Sequence, residues 1–252
     1  MLDWLDRSVA IVVAHPDDET IGLGGQLAHL RDPMIVHVTD GAARRLGAAR
    51  ADYARTRREE LIAALRAGGA GSADRRELGV VDQEASLNLT RIAAMLGALL
   101  VERKPEVILT HPYEGGHPDH DATAFAMHMA LGTLHQRGVR LPLLLEFTSY
   151  HAGESGIVAG KFLPSEGCEE TAVILTAEAR QRKQQMFDCF LSQNEMLRNF
   201  ELNEERFRIA PSYDFTQPPH EDRLFYDNFD WGMTGPRWRE LAREALRVGL
   251  VA

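Results

Sequence analysis

Val9, Ala10, Ile11, Val12 and Val13 form an unbroken apolar run that leads straight into Ala14-His15-Pro16-Asp17-Asp18-Glu19 and a glycine-rich turn, Gly22-Leu23-Gly24-Gly25. A short run rich in β-branched residues, with no polar alternation, is a strand buried on both faces, which calls for helices on both sides of a parallel sheet. Ligands of such sheets sit beyond the carboxyl ends of the strands. The run therefore delivers one imidazole and three carboxylates to the place where an α/β protein keeps its chemistry. His15 and Asp18 can converge on one cation from a turn, and a remaining carboxylate can take a proton.

A second cluster repeats the arrangement. Val107-Ile108-Leu109 leads into Thr110-His111-Pro112-Tyr113-Glu114-Gly115-Gly116-His117-Pro118-Asp119-His120-Asp121. On parallel strands the two clusters face one crevice, where His15, Asp18 and His120 supply three N/O ligands to a metal with an open fourth position. That is the donor set of a catalytic zinc site, since structural zinc is closed and usually held by thiolates. The two cysteines, Cys168 and Cys189, have no Cys-x-x-Cys spacing and suggest neither a thiolate site nor a disulfide framework. Iron(II) and cobalt(II) suit the same donors. The glycine turn lacks the G-x-G-x-x-G spacing of a dinucleotide fingerprint, and His-Pro-Asp-Asp stands where its phosphate loop would be.

The two blocks, A-H-P-D-D-E and H-P-D-H, resemble the signatures of the PIG-L/LmbE-like metal-dependent N-deacetylases. Thr39-Asp40-Gly41, Arg57 with Glu60, and Ser192-Gln193 extend the resemblance over roughly the first three quarters of the chain. Phe190 departs from it, standing where the family often has a histidine. The resemblance implies that His15, Asp18 and His120 hold the metal, Asp17 is the general base and His117 stabilises the oxyanion. It also implies removal of acetyl from a small N-acetylated sugar or sugar conjugate. A conjugate amidase, or another small-molecule amide hydrolase with the same metal site, is the alternative. Asp119 is expected to hold and orient the His117 imidazole. Substrate contacts are expected from Arg57, by family position, from Arg44 in an arginine-bearing loop, and from Tyr113 inside the second cluster.

The 252 residues carry a net charge of −9, which argues against a nucleic-acid or anionic-membrane surface. The N-terminal stretch has acids where a signal peptide needs positive charge, and the apolar run is too short to span a bilayer, so a cytoplasmic protein with no membrane span is expected. A homo-oligomer is compatible with these features.

The β/α alternation predicts an α/β, Rossmann-like fold with a mostly parallel sheet flanked by helices. Strands are expected at Val9–Val13, Met34–Val38, Glu77–Asp82, Val107–Leu109, within Leu141–Tyr150 and at Thr171–Leu175. Helices are expected at Thr20–Leu30, Ala51–Ala67, Leu87–Glu102, Asp119–Gln136, Ala177–Leu191 and Thr234–Val248. Gly41 to Arg50 reads as a loop and Gly153 to Gly167 as an excursion. Phe207 to Trp231 reads as an irregular segment rich in aromatic residues and proline. A core over 1–195 and a C-terminal extension over 196–252, packed on the same domain, complete the expectation.

Overall fold

The structure, a computed structural model, describes residues 4–154, 156–221 and 223–249. The strands are β1 (Val9–Val13), β2 (Met34–Ala43), β3 (Asp74–Asp82), β4 (Val107–Thr110), β5 (Leu143–Phe147), β6 (Tyr150–Gly153), β7 (Gly156–Ala159), β8 (Glu170–Ile174) and β9 (Glu204–Ile209). The helices are α1 (Asp18–Leu23), α2 (Arg50–Ala67), α3 (Leu89–Arg103), α4 (Pro118–Gln136), α5 (Ala177–Phe187), α6 (Asn194–Leu197) and α7 (Gly235–Gly249). The main sheet has the order β3-β2-β1-β4-β5-β9-β8. Its first five strands run parallel, whereas β9 is antiparallel to β5 and β8 to β9.

β1 is central and explains its own composition. Ala10 and Val12 face the core formed with α3, α4 and α7, while Val9, Ile11 and Val13 face the one formed with α2 and the α5 region. Both faces being covered, no position tolerates a polar side chain. Strand order reverses at β1, which has β2 on one side and β4 on the other. A crevice opens there at the carboxyl ends, the place where open α/β sheets bind ligands. The stretch Ala85–Arg103 is the one described helical stretch long and apolar enough to cross a membrane. In this fold Leu89, Ile92, Ala93, Leu96 and Leu100 are buried in the core shared with α4 and α7.

Four stretches differ from the sequence expectation. The first helix ends at Leu23 and is followed by a 3₁₀ turn over Leu27–His29. Gly25 breaks it, donating its N–H to Glu205 Oε1 at 2.8 Å where a Cβ would lie 2.6 Å from the Leu175 side chain. β2 runs on to Ala43, because Thr39 donates both its N–H (2.8 Å) and its hydroxyl (2.9 Å) to the Ala14 carbonyl and the strand keeps pairing with β3 as far as Ala43↔Asp82.

β9 was not expected at all. Its sequence, Glu-Glu-Arg-Phe-Arg-Ile, hides the strand because two of its charged residues are buried: Glu205 against Lys183 at 2.7 Å, and Arg208 against Glu146 at 2.8 Å. The sheet therefore takes a strand from beyond residue 195, and part of the segment read as irregular is regular. Within the Gly153–Gly167 excursion, β7 folds back on β6 as a two-stranded hairpin.

Candidate metal centre and cleft

The chain leaves β1 through a strained turn. Asp17 has φ 149° and ψ −24°, a conformation unusual for a residue with a side chain, and its carbonyl accepts from the N–H groups of Thr20 and Ile21, both at 2.9 Å. Arg57, buried on α2, holds this turn by donating to the Pro16 carbonyl at 2.6 Å and to Asp17 Oδ2 at 3.0 Å. Glu19 completes it, accepting from the Asp17 N–H at 3.2 Å and facing His37 Nε2 at 3.1 Å.

The turn brings Asp18 beside His15, and the first turn of α4 brings His120 to both. His15 Nδ1 lies 3.3 Å from Asp18 Oδ2 and 3.2 Å from His120 Nε2, and His120 Nε2 lies 3.2 Å from Asp18 Oδ1. Ligand bonds of about 2.0–2.1 Å in a tetrahedral arrangement imply donor separations near 3.3–3.4 Å. The two imidazole nitrogens stand close to that distance from each other and each from one oxygen of the Asp18 carboxylate, His15 from Oδ2 and His120 from Oδ1, so the three side chains can close on one divalent cation when the carboxylate offers it a single oxygen. The surroundings favour positive charge. Burial opposes the protonated form of His15, yet the hydrogen bonds it donates to Asp119, Asp18 and Asp82 raise its pKa well above the usual imidazole range. Burial likewise opposes ionised Asp18, yet His120 and His111 hold it well below the usual carboxylate range.

Each of these three side chains has a buried partner. His15 Nε2 lies 3.0 Å from Asp82 Oδ1 and 3.4 Å from Asp119 Oδ2. His120 Nδ1 lies 3.3 Å from Ser149 Oγ, and its ring stacks on His111 with centroids 4.0 Å apart and planes 6° apart. His111 Nε2 accepts the Ala14 N–H at 3.1 Å and lies 3.2 Å from Asp18 Oδ2. Such partners fix ring orientation and raise ligand basicity.

Two groups flank the triangle. Burial pushes Asp17 up to about 7, against the pull of Arg57. Burial, with the neighbouring imidazoles of His15 and His120, drives His117 well below the ordinary imidazole range and keeps it neutral. His117 Nδ1 accepts the Asp119 N–H at 3.1 Å, which leaves the proton on Nε2 as a hydrogen-bond donor.

The structure redraws several expected roles. The Asp119 carboxylate does not hold His117. It accepts from the N–H groups of Gln83 (2.6 Å) and Ala85 (3.0 Å) and faces His15, because the α4 helix turns it toward the end of β3. Tyr113 is a core residue, stacked on Trp238 and donating its hydroxyl to the Gln217 carbonyl at 2.9 Å, so it does not reach substrate. Arg44 points away from the cleft to Glu84, its side chain 72% exposed. Arg57 acts on Asp17, and its sequence neighbour Glu60 does not pair with it but accepts from Ser192 N–H (2.8 Å) and hydroxyl (2.6 Å).

The cleft over these groups holds about 360 Å³. Arg45, from the arginine-bearing loop, and Gln193 line it, together with Tyr53, Asp82, Gln83 and Tyr150, which the sequence did not single out as site residues. Asp82 was accessible to the same rule that found His15, since it ends a parallel strand. His111 follows the end of β4 inside the second cluster, whereas Ser149 and Tyr150 carry no chemical motif of their own. An aromatic arc closes one side, linking His117 to Trp231 (4.7 Å between centroids), Trp231 to Phe229 (4.5 Å), Phe229 to Phe225 (5.1 Å), Phe225 to Tyr150 (5.5 Å) and Tyr150 to His120 (5.3 Å).

Comparison with known proteins finds relatives in sequence and in fold. An alignment of 147 positions, covering 46% of this chain and 47% of the relative, is 35% identical to 1D-myo-inositol 2-acetamido-2-deoxy-alpha-D-glucopyranoside deacetylase of Salinispora arenicola. Another of 141 positions, covering 52% of this chain and 63% of the relative, is 30% identical to the probable N-acetyl-alpha-D-glucosaminyl L-malate deacetylase 2 of Bacillus cereus. The chain thus spans about half the length of the first relative and under two thirds of the second. Among solved structures, a deacetylase of the teicoplanin biosynthesis pathway superposes with a TM-score of 0.62 over 82% of this chain and 99% of that one; at 19% identity the likeness is one of fold. Residues 10–131, which contain both clusters, match the profile described as PIG-L: GlcNAc-PI de-N-acetylase.

Proposed function

We propose that the protein is a divalent-metal-dependent N-deacetylase that releases acetate from an N-acetylated amino sugar or its conjugate, with zinc as the metal. The observation that carries the reading is the His15–Asp18–His120 triangle, with donor separations of 3.2–3.3 Å, flanked by Asp17 and by the neutral His117. His15 Nδ1, Asp18 and His120 Nε2 would hold the ion. When bound, the ion would supply Lewis acidity, polarising the amide carbonyl and lowering the pKa of a water molecule to about 7.

The chain's own groups do the rest. Asp17, its pKa lifted toward neutrality, takes the proton of the attacking water as the new C–O bond forms, and Arg57 keeps its carboxylate in place. His117 Nε2–H donates to the carbonyl oxygen as negative charge develops there, a contribution whose loss typically costs about 10²–10³ in rate. Asp17 then passes its proton to the nitrogen as the C–N bond breaks, which yields acetate and a free amine. The buried supports of His15 and His120 keep the donor triangle in register throughout.

Elemental analysis of the purified protein, followed by measurement of acetate release from N-acetylglucosamine and its conjugates, tests the reading. One equivalent of a divalent metal and chelator-sensitive acetate release are expected. A loaded protein that releases no acetate from any N-acetylated sugar, or that releases a different acid from another amide, would overturn it.

A further inference from the structure

The loop between β2 and α2 carries Arg44, Arg45 and Arg50, and the fold treats them unequally. Arg44 donates to Glu84 at 2.8 Å, and Arg50 is ion-paired with Asp40. Neither lines the cleft. Arg45 does, and its one side-chain hydrogen bond among the described residues runs from Nη1 to the neutral amide oxygen of Gln83 at 2.5 Å. The two arginines outside the cleft are neutralised, and the one at the cleft keeps its charge.

The acids of the cleft are already engaged elsewhere. Asp17 faces Arg57, Asp82 faces His15, and Asp18 belongs to the metal triangle. Gln83, which anchors Arg45, is held at φ 70°, a left-handed conformation that glutamine rarely adopts. The buried Asp119 carboxylate imposes it by accepting the Gln83 N–H at 2.6 Å. Strain of this kind, imposed by surrounding structure beside a site, points toward a functional constraint. A guanidinium with unused N–H donors at the mouth of a small-molecule cleft is suited to a carboxylate or phosphate, which it binds through charge-assisted, often paired, hydrogen bonds.

We infer that Arg45 is the anion subsite of this cleft and that the substrate carries a carboxylate or phosphate on or beside the N-acetylated sugar. The sugar itself rests on the deacetylase reading above; the anion rests on Arg45 and Gln83. Arg45 is exposed, so its attraction to an anion is screened by salt.

The test compares wild type, Arg45→Gln and Arg45→Lys on N-acetylglucosamine 1-phosphate, on N-acetylmuramate as a carboxylate probe, and on the neutral methyl glycoside of N-acetylglucosamine. KM is read from acetate release, and affinity is read independently by calorimetry with the metal-loaded protein. Arg44→Gln serves as a surface control. Arg45→Gln is expected to weaken binding of one or both anionic probes about 10-fold or more, while the neutral probe changes less than about 2-fold. Arg45→Lys should recover part of the loss, Arg44→Gln should change nothing, and 0.5 M salt should abolish the preference of the wild type. The stronger anionic probe distinguishes phosphate from carboxylate. Equal effects of Arg45→Gln on charged and neutral probes, or a wild type with no preference between them, would overturn the inference and leave the deacetylase reading standing. Arg45-dependent binding of an anionic probe without acetate release from any probe would sustain the inference and sink that reading.

Discussion

His15 uses its two ring nitrogens in opposite directions: Nε2 lies 3.0 Å from Asp82 Oδ1, while Nδ1 faces Asp18 and His120. Asp82 therefore sets the tautomer that leaves Nδ1 free for a cation, and its charge makes that nitrogen a stronger donor. Asp82→Asn keeps the shape and removes the charge. It should lower metal affinity about 10–100-fold with little change in thermal stability, measured by competition with a chromogenic chelator. Unchanged affinity would reduce Asp82 to a cleft residue with no part in holding His15.

Asp17 is the one carboxylate at the site whose pKa is raised to about 7 while its side chain stays outside the donor triangle. Asp17→Asn should retain stoichiometric metal by elemental analysis and lose about 10²–10⁴ of turnover. In the proposed role the ionised form is the base, so kcat/KM of the wild type should rise with pH up to about 7 and then level. A cation held by Asp18 draws the midpoint downward. Loss of metal in Asp17→Asn would make the residue a ligand.

Gly116 stands where the backbone of Tyr150 crosses the turn before His117, and a Cβ there would lie 1.9 Å from the Tyr150 carbonyl oxygen. No rotamer relieves a clash with backbone. Gly116→Ala should therefore displace His117 or Tyr150, cost about 1–3 kcal/mol in urea denaturation and weaken turnover. The methyl group on Gly97, where a Cβ meets nothing within 4 Å, is the matched control and should be tolerated.

Arg208 is shared between two buried acids, Glu146 at 2.8 Å and Glu114 at 3.3 Å. Burial pushes Glu114 up to about 8 and Glu146 up to about 7, in both cases against the pull of Arg208. Folded pKa values above unfolded ones mean that the native state binds more protons. The stabilisation is complete below the unfolded value of about 4.5 and is lost as pH rises through about 8. Unfolding free energy should thus fall between pH 5 and pH 8. Glu114→Gln removes one such group and should make the decline shallower by at most about 1.4 kcal/mol per pH unit. Parallel pH profiles of variant and wild type in urea would count against a protonated Glu114.

Much of the site was legible because its signals are local. His15, Asp18 and His120 each follow a strand end or open a helix, and those positions can be read from an apolar run and the turn after it. Helices α2, α3, α4 and α7 were likewise marked by apolar spacing. Strand β9 was not, since Glu205 and Arg208 look like solvated residues until Lys183 and Glu146 are placed against them. The arginine loop shows the same limit: Arg44 and Arg45 are adjacent, and only the positions of Glu84 and Gln83 decide which one keeps its charge beside the cleft.

The order of residues alone determined that a buried parallel strand would present His15 to Glu19 at its carboxyl end, because periodicity and turn chemistry act over a few residues. Tertiary structure alone decided which side chains meet. His15 and His120 are 105 positions apart, and Asp82 and Asp119 come to the same imidazole from a different strand and a different helix. Those meetings depend on the sheet reversing direction at β1 and on the crossover that sets β4 beside it, an outcome of packing two helical layers against one twisted sheet rather than of any local run of sequence.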